Sequence, residues 1–166
     1  MKKIFTLLAI AGLFSLQSCT VVDDTVYVDN NTISEVFEVN ASFNSTNNYS
    51  RFIQLNPAIF PSDVVLVYRL SGVSQGKDIW KLLPETYYFN DGTRDFGYNF
   101  DYTRTDVSVF MVGNDLQSVS TDFRLNQVLR IVIVPASFST SINKNSLADV
   151  MAALKLDETQ IQKIDF

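Results

Sequence analysis

The sequence predicts a mainly β protein, an antiparallel β-sandwich-like domain of about seven to nine strands with a short C-terminal helix. Three observations point there. Apolar side chains recur with a period of two, as where Phe37, Val39, Ala41 and Phe43 alternate with Glu38, Asn40 and Ser42. Turn signals fall roughly every 8 to 12 residues, the spacing of a sandwich or barrel. A helical period occurs only near the C-terminus.

Taken in order, residues 20–32 are polar and predict a tether, with one peripheral strand over Thr25 to Val28. The strand through Phe43 stops at the polar cluster Asn44 to Asn48, whose side chains favour turns. Tyr49 to Leu55 is a second apolar run, closed by Asn56-Pro57 and Pro61. Val64 to Leu70, ending at Ser71-Gly72, and Val128 to Val134, stopped by Pro135, are near-continuous apolar runs of seven residues. That length suits strands buried on both faces better than helices. Between them, Thr86 to Asn90, then Asp91-Gly92, then Asp95 to Thr103 predict a hairpin with a two-residue loop. Val107 to Val112 gives a further strand, ending at Gly113-Asn114-Asp115. At the C-terminus, Ser146 is an N-cap with Asp149 at N3, and Leu147, Val150, Met151 and Leu154 share one helical face. A helix near 146–155 is therefore expected to cover an open end or face of the β core, and Asp157 to cap a second short turn carrying Ile161 and Ile164.

The N-terminus carries targeting information. Lys2 and Lys3 precede Ile4 to Phe14, an apolar run of 11 residues that is too short to span a bilayer as a helix. A cleaved leader explains that order of parts better than a buried N-terminal helix. The chain's one cysteine follows, in Leu16-Gln17-Ser18-Cys19. This resembles the lipobox of bacterial lipoproteins, although Gln17 stands where a small residue is usual. The resemblance implies cleavage after Ser18 and a diacylglyceryl group on the Cys19 thiol; the plain alternative is an unmodified cysteine in an ordinary leader. The expected organisation is a signal peptide over 1–18, an acylated tether over 19–32 and a single domain over 33–166. Without the leader, 11 basic and 18 acidic side chains give the mature chain a formal charge of −7.

Composition excludes several chemistries. The sequence has no histidine, which removes Ser-His-Asp and Cys-His catalysis and imidazole ligation. A single cysteine removes an intrachain disulfide, a redox pair and a cysteine-rich zinc site. A net charge of −5 for the full chain argues against a nucleic-acid partner. The aromatic strand Phe96, Tyr98, Phe100 and Tyr102 invites a sugar-stacking platform, but strict alternation favours a core-facing strand. Gly97, on its other face, marks a bulge or a close backbone approach. Asn90, Asp91, Asp95 and Asp101 could offer oxygens to calcium, yet they lack the spacing of a calcium loop, and turn chemistry accounts for the first two. Carboxylates such as Glu35, Glu38 and Asp106 are scattered singly on wet faces, and nothing selects a catalytic pair. Arg104 and Arg130 are the unusual cations; Arg130, inside a buried strand, demands a partner or a rim position, and a structural ion pair accounts for it better than an anion-binding role. Trp80, Tyr87 and Tyr88 are the candidate ligand-binding aromatics.

Beyond the lipobox, Asp78-Ile-Trp80-Lys-Leu-Leu-Pro84, Tyr98-Asn-Phe100-Asp-Tyr-Thr-Arg104-Thr-Asp-Val107 and Asn126-Gln-Val-Leu-Arg130-Ile-Val resemble a group of small lipoproteins of Bacteroidota. The resemblance extends over Phe37 to Leu55 and Asp63 to Phe110. It implies a Gram-negative envelope, at the outer membrane or cell surface, and lends no catalytic residue. Some such relatives carry a dihydrolipoamide dehydrogenase label, which needs a GxGxxG turn and a cysteine pair that this chain lacks. The expectation is a non-enzymatic binding or structural module without a cofactor other than the Cys19 lipid. It would engage a protein or glycan partner. Accessory carbohydrate binding is the alternative, and a carboxylate-based hydrolase the second.

Overall fold

The computed structural model describes residues 34–136 and 142–164. Cys19, the leader, the tether and the strand expected at Thr25 to Val28 lie outside the described residues. Nine strands are described: β1 (Glu35–Ala41), β2 (Ser50–Gln54), β3 (Val64–Ser74), β4 (Lys77–Leu82), β5 (Glu85–Tyr88), β6 (Arg94–Tyr102), β7 (Asp106–Gly113), β8 (Gln127–Val134) and β9 (Gln162–Ile164). Two helices accompany them, α1 (Thr121–Arg124) and α2 (Leu147–Ala153). The strands form a five-stranded sheet, β4-β3-β8-β1-β9, and a four-stranded sheet, β2-β7-β6-β5. The fold is mainly β and sandwich-like, as the alternation predicts.

The core lies between the sheets. Phe37 and Val39 of β1, Val65 and Val67 of β3, and Leu129, Ile131 and Ile133 of β8 meet Ile53, Phe96, Tyr98, Val107, Val109 and Met111. Burying each large apolar side chain contributes roughly 1.5–3 kcal/mol. Phe96 and Tyr98 are 3 % and 1 % exposed, so the start of the aromatic strand is core. The opposite residues of the five-stranded sheet, Val36, Leu66, Tyr68, Val132 and Val134, are also buried, under Leu147, Val150 and Met151 of α2. This second cover explains why β3 and β8 are apolar on both faces. α2 therefore covers a face of the five-stranded sheet, and the Ser146 hydroxyl caps it by accepting the Asp149 N–H at 3.2 Å. Asp157 caps the following short turn, where its carboxylate accepts the Thr159 N–H at 2.8 Å.

Several details differ from the expectations. β3 runs on through Ser71-Gly72, which forms a bulge against β4 instead of a strand end. It reaches a tight turn at Gln75-Gly76, both with positive φ (51° and 74°), the backbone of a type I′ hairpin. Asp91-Gly92 is not a two-residue loop. The Phe89 N–H donates to the Thr93 carbonyl, the Gly92 N–H donates to the Phe89 carbonyl, and positive φ falls on Gly92 alone in that loop. Asp91 holds this wider loop because its Oδ1 accepts both the Thr93 N–H at 2.9 Å and its hydroxyl at 2.6 Å. Gly97 marks a close approach: a Cβ there would stand 2.6 Å from the Glu85 carbonyl oxygen, beside a register shift in β5. The edge strands β4 and β9 were not anticipated; β9 pairs in parallel with Phe37 to Val39 of β1.

Candidate functional site

Trp80, Tyr87 and Tyr88 do not form one surface. Trp80 lies on β4 and packs with the helix-covered side of the five-stranded sheet. The chain then crosses to the other sheet at Leu83-Pro84. Tyr87 points into the sandwich, where its ring stacks on Phe96 with centroids 4.6 Å apart. Tyr88 is 65 % exposed beside Phe89 at the end of its hairpin. Three aromatics close in sequence are thus separated by a change of sheet and by strand alternation.

Of the three, Trp80 borders a cleft. One recess of about 460 Å³ lies between Trp80 and Asp78 on one side and Ala148, Met151 and Ala152 of α2 on the other. An adjoining recess of about 330 Å³ shares Asp78, Trp80, Arg130 and Glu158 and adds Glu38 and Lys163. Strand register builds this floor: Tyr68, Arg130, Glu38 and Lys163 stand opposite one another on β3, β8, β1 and β9. The Arg130 guanidinium stacks over the Trp80 ring at 4.3 Å. Its Nε donates to Glu38 at 3.1 Å, and its two terminal nitrogens donate to the Glu158 oxygens, both at 2.7 Å. Burial works against the Arg130 charge, but the two carboxylates outweigh it and its pKa is raised. Arg130 is therefore the ion-paired strand cation expected from the sequence, and it braces the cleft wall. Asp78, at the rim, is exposed and has no ion pair or side-chain hydrogen bond among the described residues.

A second polar centre is enclosed in the sandwich. Arg69, which the sequence reading passed over, is 3 % exposed. It donates to Glu85 at 2.9 Å, to the Gln127 carbonyl oxygen at 2.9 Å and to the Tyr87 hydroxyl. Its guanidinium also lies 4.6 Å from the Tyr98 ring centroid. Tyr87 donates to the other Glu85 oxygen at 2.7 Å, and Lys81 approaches that oxygen at 3.1 Å. Burial would raise the Glu85 carboxyl, but hydrogen bonds from Arg69 and Tyr87 and the Arg69 charge together hold it below its ordinary value. Burial and the neighbouring Glu85 push the Tyr87 hydroxyl up to about 12. Each charged group here is engaged by several partners, so the arrangement ties β3, β5 and β8 together and offers no free acid or base.

The other flagged residues have local structural roles. Arg104 donates to the Ile59 carbonyl at 3.0 Å, joining the β6–β7 turn to the loop before β3. Asp106 accepts the Thr103 and Thr105 hydroxyls at 2.7 and 3.0 Å. Glu35 is not on a wet face: it is half-buried, its carboxyl is raised by that burial, and it shares a cavity of about 80 Å³ with Asp63. Asp63 Oδ2 accepts the Phe60 N–H at 3.0 Å, while its Oδ1 has no partner among the described residues. That cavity is far smaller than the ~300–1,000 Å³ of ordinary ligand pockets. Among the described residues, no three acids or cysteines are grouped to hold a metal ion.

The fold and site together define a two-sheet β-sandwich with one face roofed by a helix and a tryptophan-walled cleft beside that roof. Comparison with family models, curated proteins and solved structures returned no match to the chain.

Proposed function

We propose that the protein is a lipid-anchored lipoprotein of the cell envelope, held at the outer membrane or cell surface. In this reading it acts as a non-catalytic binding module, and the Trp80 cleft is its binding face. The observation that carries the binding reading is the cleft's make-up. The chain's one tryptophan, a rim carboxylate without an ion pair among the described residues and two exposed alanines of α2 border a recess of about 460 Å³. That is ligand-sized, and an aromatic wall with a few polar groups is the usual composition of a recognition site. The anchoring half rests on the position of the only cysteine, directly behind the leader-like segment. Each buried CH₂ of an attached lipid contributes about 0.8 kcal/mol, so two or three acyl chains hold a protein on a bilayer durably.

A second reading, glycan binding, is favoured by the exposed pair Tyr88 and Phe89, which are 65 % and 55 % exposed. A carboxylate-based hydrolase draws little support from the small Glu35–Asp63 cavity. The anchor is tested by membrane fractionation of cells producing the wild type or Cys19→Ala. The wild type should sediment with membranes and resist a high-salt wash, while the variant should be released. Membrane retention of Cys19→Ala would overturn the lipid anchor.

A further inference from the structure

We infer that the Trp80 cleft takes a lysine- or arginine-bearing aliphatic segment of a protein partner; this rests on reading the domain as a binding module. The charge of the cleft favours such a segment. Asp78, Asp157, Glu158 and Glu38 line the two recesses against only two cations, Arg130 and Lys163. Both cations are already committed, Arg130 to Glu38 and Glu158 and Lys163 to Glu38 at 3.6 Å. Asp78 is left facing solvent without a counter-charge among the described residues, and Glu158 remains 73 % exposed beyond its contact with Arg130.

The walls of the cleft fit the same segment. Met151 and Leu156 line the larger recess with Ala148 and Ala152, opposite Trp80. A lysine or arginine side chain combines an aliphatic stem, which such walls desolvate, with a cationic head that an acidic rim satisfies. Arg130 shows the chemistry within the chain itself: its guanidinium lies on the indole of Trp80 while its nitrogens hold carboxylates. An incoming cation would meet the same aromatic and the same sign of charge.

Charge excludes the chain's own tether as occupant. Residues 20–32 contain three aspartates and no basic residue, so they carry the wrong charge for an acidic rim.

Trp80 is the only tryptophan, so its fluorescence reports this cleft alone. The test titrates the full-length acylated protein, in non-ionic detergent, with an acetylated Lys-Leu-Lys-Leu-Lys amide. The matching Glu-Leu-Glu-Leu-Glu peptide and a neutral hexasaccharide are the comparison probes. The lysine peptide should shift Trp80 emission saturably and shield it from acrylamide, and 0.5 M salt should weaken the effect. Asp78→Asn should weaken binding roughly threefold to fivefold, the effect of one exposed charge pair, and Asp101→Asn should not. An equal response to the acidic peptide, a response to the hexasaccharide alone, or no saturable response to the lysine peptide would overturn the inference. Failure here would remove the basic ligand class. The anchor would still stand or fall on the Cys19→Ala fractionation, and the cleft as binding face on cross-linking to partners in cells.

Discussion

Arg69 and Arg130 place guanidinium groups in two adjacent interior strands of one sheet, on its opposite faces, and each is less than a tenth exposed. An unpartnered buried charge would be prohibitive, so each is surrounded by acceptors and an aromatic ring. The sequence made Arg130 legible because it interrupts an apolar run. Arg69 carries the same signal at the end of Val64 to Leu70 and was readable by the same rule. What the sequence could not supply was the partners, since Glu85, Gln127 and Tyr98 reach Arg69 from other strands. The Glu85 carboxyl is depressed in the folded protein, so below its ordinary value of 4.5 the unfolded chain binds more protons. Its stabilisation is therefore complete above that pH and drains away as pH falls through the lower folded value. Glu85→Gln should cost roughly 3 kcal/mol at pH 7 in urea unfolding, in the range for breaking a buried pair. The gap from wild type should narrow as pH is lowered below 4.5. A gap that stays constant down to pH 3 would show that the carboxylate charge is not what the sandwich holds.

At the scale of elements, strands with a buried face were legible, and the two edge strands of the five-stranded sheet, β4 and β9, were not. β3 and β8 announce themselves because α2 covers the second face of their sheet. β4 keeps mixed residues, Lys77, Asp78 and Lys81 among Ile79, Trp80 and Leu82, because much of it meets solvent at the sheet edge. β9 is three residues long and leaves no period to detect. The Asp91-Gly92 signal marked the right hairpin but the wrong loop, since Asp91 spends its carboxylate on Thr93. Gly97 illustrates a packing constraint that the sequence suggested and the register explains. Gly97→Ala would drive a methyl into the Glu85 carbonyl, on the strand that supports the Arg69 centre. It should cost about 1–3 kcal/mol, as overpacking does. Gly72→Ala, with no atom within 4 Å of its added carbon, should stay within about 0.5 kcal/mol. Thermal unfolding of both variants checks this, and equal midpoints would remove the close-approach account of Gly97.

For the whole molecule, the layers explain where recognition can occur. One face of the five-stranded sheet is used for the sandwich core and the other for α2, and the cleft opens between α2 and β4. Trp80 was a candidate from the sequence alone, but its setting was not legible, because Ala148, Ala152 and Glu158 lie some seventy residues further along the chain. Tyr87, chosen on the same grounds, is part of the enclosed Arg69 centre. The protein is proposed to be a binding module whose binding face is this cleft. Photo-crosslinking in living cells tests it most directly, with a benzophenone amino acid placed at Ala152 in the cleft and, for comparison, at Asp101 on the other sheet. A discrete adduct in the membrane fraction is expected from position 152 and not from position 101. The same adducts from both positions, or none from position 152, would contradict it.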